Sequence, residues 1–168
     1  MKKLCAVLFI ALTLICTGCV ETVTFPPENH ANAYMAIIED LYECSGSLED
    51  LTYIGFDFSS LDADVQASVA VLAEAFCKER DQTYLAGTID ELILQGYITG
   101  FELDDGTTMA NGFPEGVLFR FDPVSVTESE IVCEASRWRG SLSAIGSTYQ
   151  ATYAQGVWQT STTDFWIS

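Results

Sequence analysis

Apolar and polar positions change their period several times along the chain. An uncharged run from Leu4 to Cys16 comes first, rich in Leu, Ile, Val and Phe. From about Asn29 to Cys44, the residues Tyr34, Ile37, Ile38, Leu41 and Cys44 recur at helical spacing and predict one apolar face, with Gly46 as the stop. Leu51–Phe58 is aromatic and β-branched enough to predict a strand. Ser59 or Ser60 is placed to cap a second helix, with Asp62 and Asp64 in its first turn. Val65, Val69, Leu72 and Phe76 form that helix's apolar face, and Lys78 and Arg80 complement its C-terminal end. A short strand is expected around Tyr84-Leu85. Thr88 and Glu91 then make a capping box for a brief helix through Leu94, closed by Gly96.

Everything after Tyr97 predicts β structure. The expected strands are Ile98–Leu103, Val117–Phe121, Ser125–Arg139, Ser147–Ala154 and Val157–Thr162, with Gln155-Gly156 as a tight turn between the last two. The fold class that follows is α+β, with N-terminal helices packed on one face of a largely antiparallel β-sheet. Residues 29–168 are expected to form a single domain. Between Asp104 and Gly116 lies a stretch read as a loop, longer than most connections, with Met109 and Phe113 exposed between glycines. Such a loop suits partner contact, and a long hairpin is the plainer alternative.

The N-terminus points to a compartment. Met1-Lys2-Lys3 is a short basic start, and the apolar run of about 13 residues falls short of the roughly 20 that span a bilayer. It ends in Ile15-Cys16-Thr17-Gly18-Cys19. This resembles the lipobox of bacterial lipoproteins, in which small residues precede a Cys that is lipidated and becomes the mature N-terminus. Cys16 stands where Leu is usual. The resemblance implies residues 1–18 as signal peptide, Cys19 as the lipidated (diacylglycerol- and palmitate-type) residue, and 19–28, with Pro26-Pro27, as a short tether. An ordinary cleaved signal leaving Cys19 free is the alternative. Two or more acyl chains hold a protein stably at a membrane, whereas one is marginal. The expected location is the extracytoplasmic face of the cell membrane.

Charge and cysteines sharpen this picture. The formal net charge is −17, from 24 acidic and 7 basic residues. Removing Lys2 and Lys3 leaves only Lys78, Arg80, Arg120, Arg137 and Arg139 as cations. So acidic a protein offers phosphates almost no counter-charge, which excludes nucleic acid as a natural partner; a basic peptide or protein suits the charge, and a simply solvated acidic surface is the plainer alternative. Hydrophobic residues at 49 % exclude intrinsic disorder. Beyond the signal and Cys19 the cysteines are Cys44, Cys77 and Cys133, which permit one disulfide in any of three pairings, Cys44–Cys77 preferred because both lie on main helices. Three buried thiols are the alternative.

Motifs for catalysis are few. The one histidine, His30, sits at the start of the first helix, a solvent-facing place with no nucleophile elbow elsewhere. No CxxC pair, calcium loop or phosphate-binding glycine loop occurs, so no metal or cofactor is expected. The most distinctive internal segment is Ser136-Arg137-Trp138-Arg139-Gly140. Alternation continues the face of Ile131, Cys133 and Ala135 into Arg137 and Arg139 and puts Trp138 on the other. Two arginines in line suit an anion or carboxylate clamp; pairing with some of the many acids is the alternative. Together with Gly146, Tyr153, Gly156, Trp158 and the Ile167-Ser168 ending, this segment resembles a C-terminal pattern of secreted bacterial lipoproteins of unknown function, which implies a shared fold over the last third of the chain.

Two functions follow. The first is a membrane-anchored, non-catalytic binding or interaction module of the cell envelope, with Arg137, Trp138, Arg139, Met109 and Phe113 as candidate binding residues. The second is a secreted carboxylate- or metal-dependent hydrolase, which requires two acids to converge in a cleft.

Overall fold

The computed structural model describes residues 27–168 except Ser45 and Ser47, with side chains from Asn29 onward. The expected signal peptide, the expected lipidation residue Cys19 and most of the expected tether lie outside the described residues. Helix α1 runs Pro27–Glu43, with proline at its first position, where a missing N–H costs nothing. It buries Ala31, Tyr34, Ile37, Ile38 and Leu41. Strand β1 (Tyr53–Asp57) leads to α2 (Ala63–Lys78), then β2 (Thr83–Ala86) and α3 (Ile89–Leu94). The remaining strands are β3 (Thr99–Glu102), β4 (Thr108–Gly112), β5 (Gly116–Val126), β6 (Glu130–Gly140), β7 (Ser143–Ala154) and β8 (Val157–Ile167). No helix among the described residues is long and apolar enough to cross a membrane.

The fold is mixed α+β with an open, mostly antiparallel sheet. The strands run β2-β1-β5-β6-β7-β8, and the β3–β4 hairpin joins the end of β6 through Gly112 and Gly140. Only β1 pairs in parallel, with β2 and with β5. The β1–α2–β2 crossover supplies the long connection that parallel pairing requires.

Four expectations change in detail. The strand expected over Ser125–Arg139 is broken by a turn: Thr127 N–H donates to the Glu130 carbonyl at 2.8 Å and Glu130 N–H to Thr127 Oγ1 at 3.0 Å. Neither Ser59 nor Ser60 caps α2. Asp62 takes the cap position, because the Ser59 hydroxyl donates to Asp57 Oδ1 (2.6 Å) and that of Ser60 to Asp122 Oδ1 (3.1 Å). The stretch read as a loop contains strand β4. Phe113, expected to be exposed, is buried at 2 % exposure, its ring stacked near Tyr53. The Thr88–Glu91 capping box is present, with Thr88 N–H donating to Glu91 Oε2 at 2.8 Å.

The buried side chains form two clusters. The larger joins α1 and α2 to Ile54, Phe56, Val117, Phe119, Phe121, Ile131, Cys133 and Tyr149. Within it the rings of Phe56 and Phe119, and of Phe58 and Phe121, stack with centroids 5.5 Å apart. The smaller joins Leu92 of α3 to Ile98, Phe113 and Leu118, with Trp138 packed against it. Successive residues of β5 therefore serve different clusters, as a pleated strand dictates.

Candidate functional site

The face of Ile131, Cys133 and Ala135 continues along β6 to Arg137, which is only 7 % exposed. Its Nη1 donates to the Tyr42 carbonyl at 3.2 Å. Tyr42 lies in the last turn of α1, where carbonyls have no helical partner and a cation is favoured, and α1 has no basic residue of its own there. Arg137 thus serves α1 as its C-terminal cation from across the sheet. Beyond Trp138 the β6–β7 register shifts, and Gly140 allows β4 to approach: a Cβ on Gly140 would lie 3.1 Å from the Asn111 carbonyl. Next to this irregularity the exposed Arg139 turns into the same hollow as Arg137, a cavity of about 250 Å³.

The walls of that cavity include Leu48, Ala144 and Ile145, its rim carries Leu142 and Ile167, and Ser168 lines it beside Ala144, whose N–H donates to Ser168 at 3.2 Å. Leu48 is held by buried Gln82, whose Nε2 donates to the Leu48 carbonyl at 2.7 Å and to that of Leu51 at 3.0 Å. Tyr42 Oη donates to Gln82 Oε1 at 3.1 Å, so one amide ties the end of α1 to the cavity wall.

Burial pushes the Arg137 guanidinium below its ordinary value, and the neighbouring positive charge of Arg139 acts in the same direction. Among the described residues the ion pairs are Arg80–Glu79 at 4.0 Å and Arg120–Asp57 at 3.9 Å, and neither Arg137 nor Arg139 takes part in one. The alternative expectation, that these arginines pair with nearby acids, is therefore not met. A buried cation whose hydrogen-bond partner among the described residues is one carbonyl is a costly arrangement unless an anion completes it. Beneath the site, burial raises the Tyr149 phenol, and so does Asp40, its hydrogen-bond partner. Burial likewise raises the Cys44 thiol, against the pull of Arg137.

Other expected site residues lie elsewhere. Trp138 is on the opposite face of β6, half-buried against the smaller cluster. Met109 is 48 % exposed and sits across the β3–β4 hairpin from Phe101, equally exposed. Phe113 is part of the core, so Met109 and Phe113 do not make a joint contact surface. Cys44, Cys77 and Cys133 are all free, and the preferred Cys44–Cys77 bridge is not formed. Their surroundings differ: Cys44 has Arg137 and Asp40 as charged neighbours, Cys77 has Arg80 and Glu74. Burial pushes both Cys77 and Cys133 up to about 12. His30 is half-buried rather than solvent-facing, its ring edge-on to Trp158 at 6.3 Å. Among the described residues no group of three His, Cys, Asp or Glu side chains is arranged to hold a metal.

Tyr42, Leu48, Leu142 and Ile167 were not foreseen as site residues. The continuation of an apolar alternation into Arg137 was the available signal for a buried cation.

Compared with known proteins, the chain matches no family model, no curated protein and no solved structure.

Proposed function

We propose that the chain is a membrane-anchored extracytoplasmic lipoprotein, lipidated at Cys19, that acts as a non-catalytic binding module of the cell envelope. Its seat is the Arg137–Arg139 cavity, and its ligand presents an anion there. The observation that carries the reading is Arg137 itself, buried to 7 % exposure at a cavity, with no ion pair among the described residues. The acid excess of the rest of the chain attracts a basic partner, so the seat is a local exception on a negative surface.

Support for the layered arrangement comes from the two clusters. α1 and α2 contribute to the larger, α3 to the smaller, and neighbouring strand residues alternate between them. We infer that the two long helices cover one face of the sheet and α3 part of the other.

Intact mass of the protein from host membranes tests the anchoring: a chain starting at Cys19 with acyl chains is expected, and an unlipidated mass overturns it. Calorimetric titration with sulfate and with acetate tests the seat. Saturable binding of either that is lost in Arg139→Ala is expected, and indifference of wild type to both, and to a carboxylate carried on a peptide, overturns the seat.

A further inference from the structure

Resting on that reading of the cavity as an anion seat, we propose that its ligand is the C-terminal carboxylate of a basic peptide ending in an aliphatic residue.

Three features narrow the anion. The guanidinium of Arg137 has a planar fork of N–H donors, of which the Tyr42 carbonyl takes one, and such a fork matches the two oxygens of a carboxylate. Arg139, exposed at the same cavity, adds a second charge without being fixed in the core. Leu142 and Ile167 on the rim are 90 % and 68 % exposed, an apolar pair beside two cations. An inorganic oxyanion gains nothing from them, whereas an aliphatic side chain next to a carboxylate covers them and strengthens the charge contacts by excluding water.

The surroundings decide what carries the carboxylate. A second hollow, of about 820 Å³, shares Gly46 and Leu48 with the first, so the two lie side by side. It presents Glu43, Glu49, Glu79 and Asp81 around Arg80. Arg80 lies 3.7 Å over the Phe76 ring, donates to the Phe76 carbonyl at 3.1 Å and pairs with Glu79 at 4.0 Å, so Glu79 already faces a cation. A peptide seated by its C-terminus and leaving through this groove passes acids, which suits Lys or Arg side chains upstream. A free carboxylate ion must approach a chain of formal net charge −17 against repulsion; one carried on a basic peptide is drawn in.

The test is calorimetric titration of the full-length protein in neutral detergent with an acetylated Lys-Arg-Lys-Gly-Leu peptide. Its C-terminal amide, a Ser-Ser-Ser-Gly-Leu acid, free 4-methylpentanoate and sulfate are run beside it. The basic acid is expected to bind, its amide about tenfold or more weaker, corresponding to one lost charge-assisted contact. Arg139→Ala is expected to weaken the acid with an unchanged melting temperature. The Glu79→Gln/Asp81→Asn double variant is expected to weaken the basic peptide and leave the serine peptide unaffected. Equal binding of acid and amide overturns the proposal. If 4-methylpentanoate or sulfate binds as tightly as the basic peptide, the peptide is overturned while the anion seat stands. Indifference to every anion overturns both.

Discussion

The two buried clusters meet along the same strands yet are built differently. The larger is spanned by two long helices and a ladder of stacked aromatic rings, and it extends from Ala31 to Ala151. The smaller has four fully enclosed residues, Leu92, Ile98, Phe113 and Leu118, surrounded by half-buried ones. Arg137 belongs to the side of the larger cluster, and its charge is held by the end of a helix that this cluster anchors. The smaller cluster holds α3 and the β3–β4 hairpin, and it borders the cavity through Trp138, which pairs with Ala144 of the cavity wall. Arg137, on which the proposed seat depends, thus continues the strand face that serves the larger cluster, while Trp138 turns to the smaller. Adjacent residues of β5 test the difference between the clusters directly. Phe119→Ala is expected to cost about 4 kcal/mol of unfolding free energy, and Leu118→Ala, whose half-buried neighbours can collapse into the gap, about 3 kcal/mol. Denaturant melts measure both. A larger loss at Leu118 than at Phe119 would reverse the ranking of the clusters.

A substitution that adds volume probes the smaller cluster alone. A Cβ on Gly116 would lie 2.3 Å from the Phe113 ring, which is buried and cannot swing to solvent. Gly116→Ala is expected to lower stability by about 2 kcal/mol through overpacking, with anion binding at Arg139 retained. An unchanged melting temperature would mean that Phe113 is free to move, and the exposed position expected for it would be accessible after all.

That expectation failed for an identifiable reason. Phe113 is followed by Pro114-Glu115-Gly116, a turn signature, and local signals placed the aromatic residue on the turn. Its burial depends on Tyr53 and Leu118, distant in sequence or on another strand, and no local period reports such contacts. The parallel pairing of β1 with β5 was illegible for the same reason: it is a long-range choice. By contrast α1, α3 with its capping box, and the antiparallel run at the C-terminal end were legible, because spacing, caps and alternation are local. The break at Thr127–Ser129 hid between two β-forming stretches and rests on a threonine hydroxyl rather than on Gly or Pro. For the site, alternation put Arg137 on the apolar face, but which groups meet its charge is three-dimensional information.

Replacing that charge gives the next test. A buried charge without an ionic partner costs free energy, and substituting an apolar residue of similar length removes the cost. Arg137→Met is expected to leave the free protein more stable by about 1 kcal/mol, net of the lost bond to the Tyr42 carbonyl, and to abolish anion binding. Thermal melts with and without ligand separate the two effects. A loss of about 3–5 kcal/mol instead would show that Arg137 has an acidic partner, left buried and unpaired by the change. The seat would then already be filled by the protein itself.

The smallest effect asks whether the two clusters are independent. Thr88→Ala removes the hydroxyl that accepts from Glu91 N–H at 3.3 Å and so dismantles half of the capping box. The expected cost is about 1 kcal/mol, typical of a lost N-cap. Because α3 packs only against the smaller cluster, faster amide exchange is expected in α3 and the β3–β4 hairpin, with α1 and Tyr42 unaffected. Anion affinity at Arg137 and Arg139 should then be unchanged within error. A parallel fall in affinity and in α1 protection would mean that the sheet transmits the loss from one side to the other, since β6 carries Trp138 toward one cluster and Arg137 toward the other. In that case stability and binding geometry would be one cooperative property of the whole sheet, and the division between the clusters would fail.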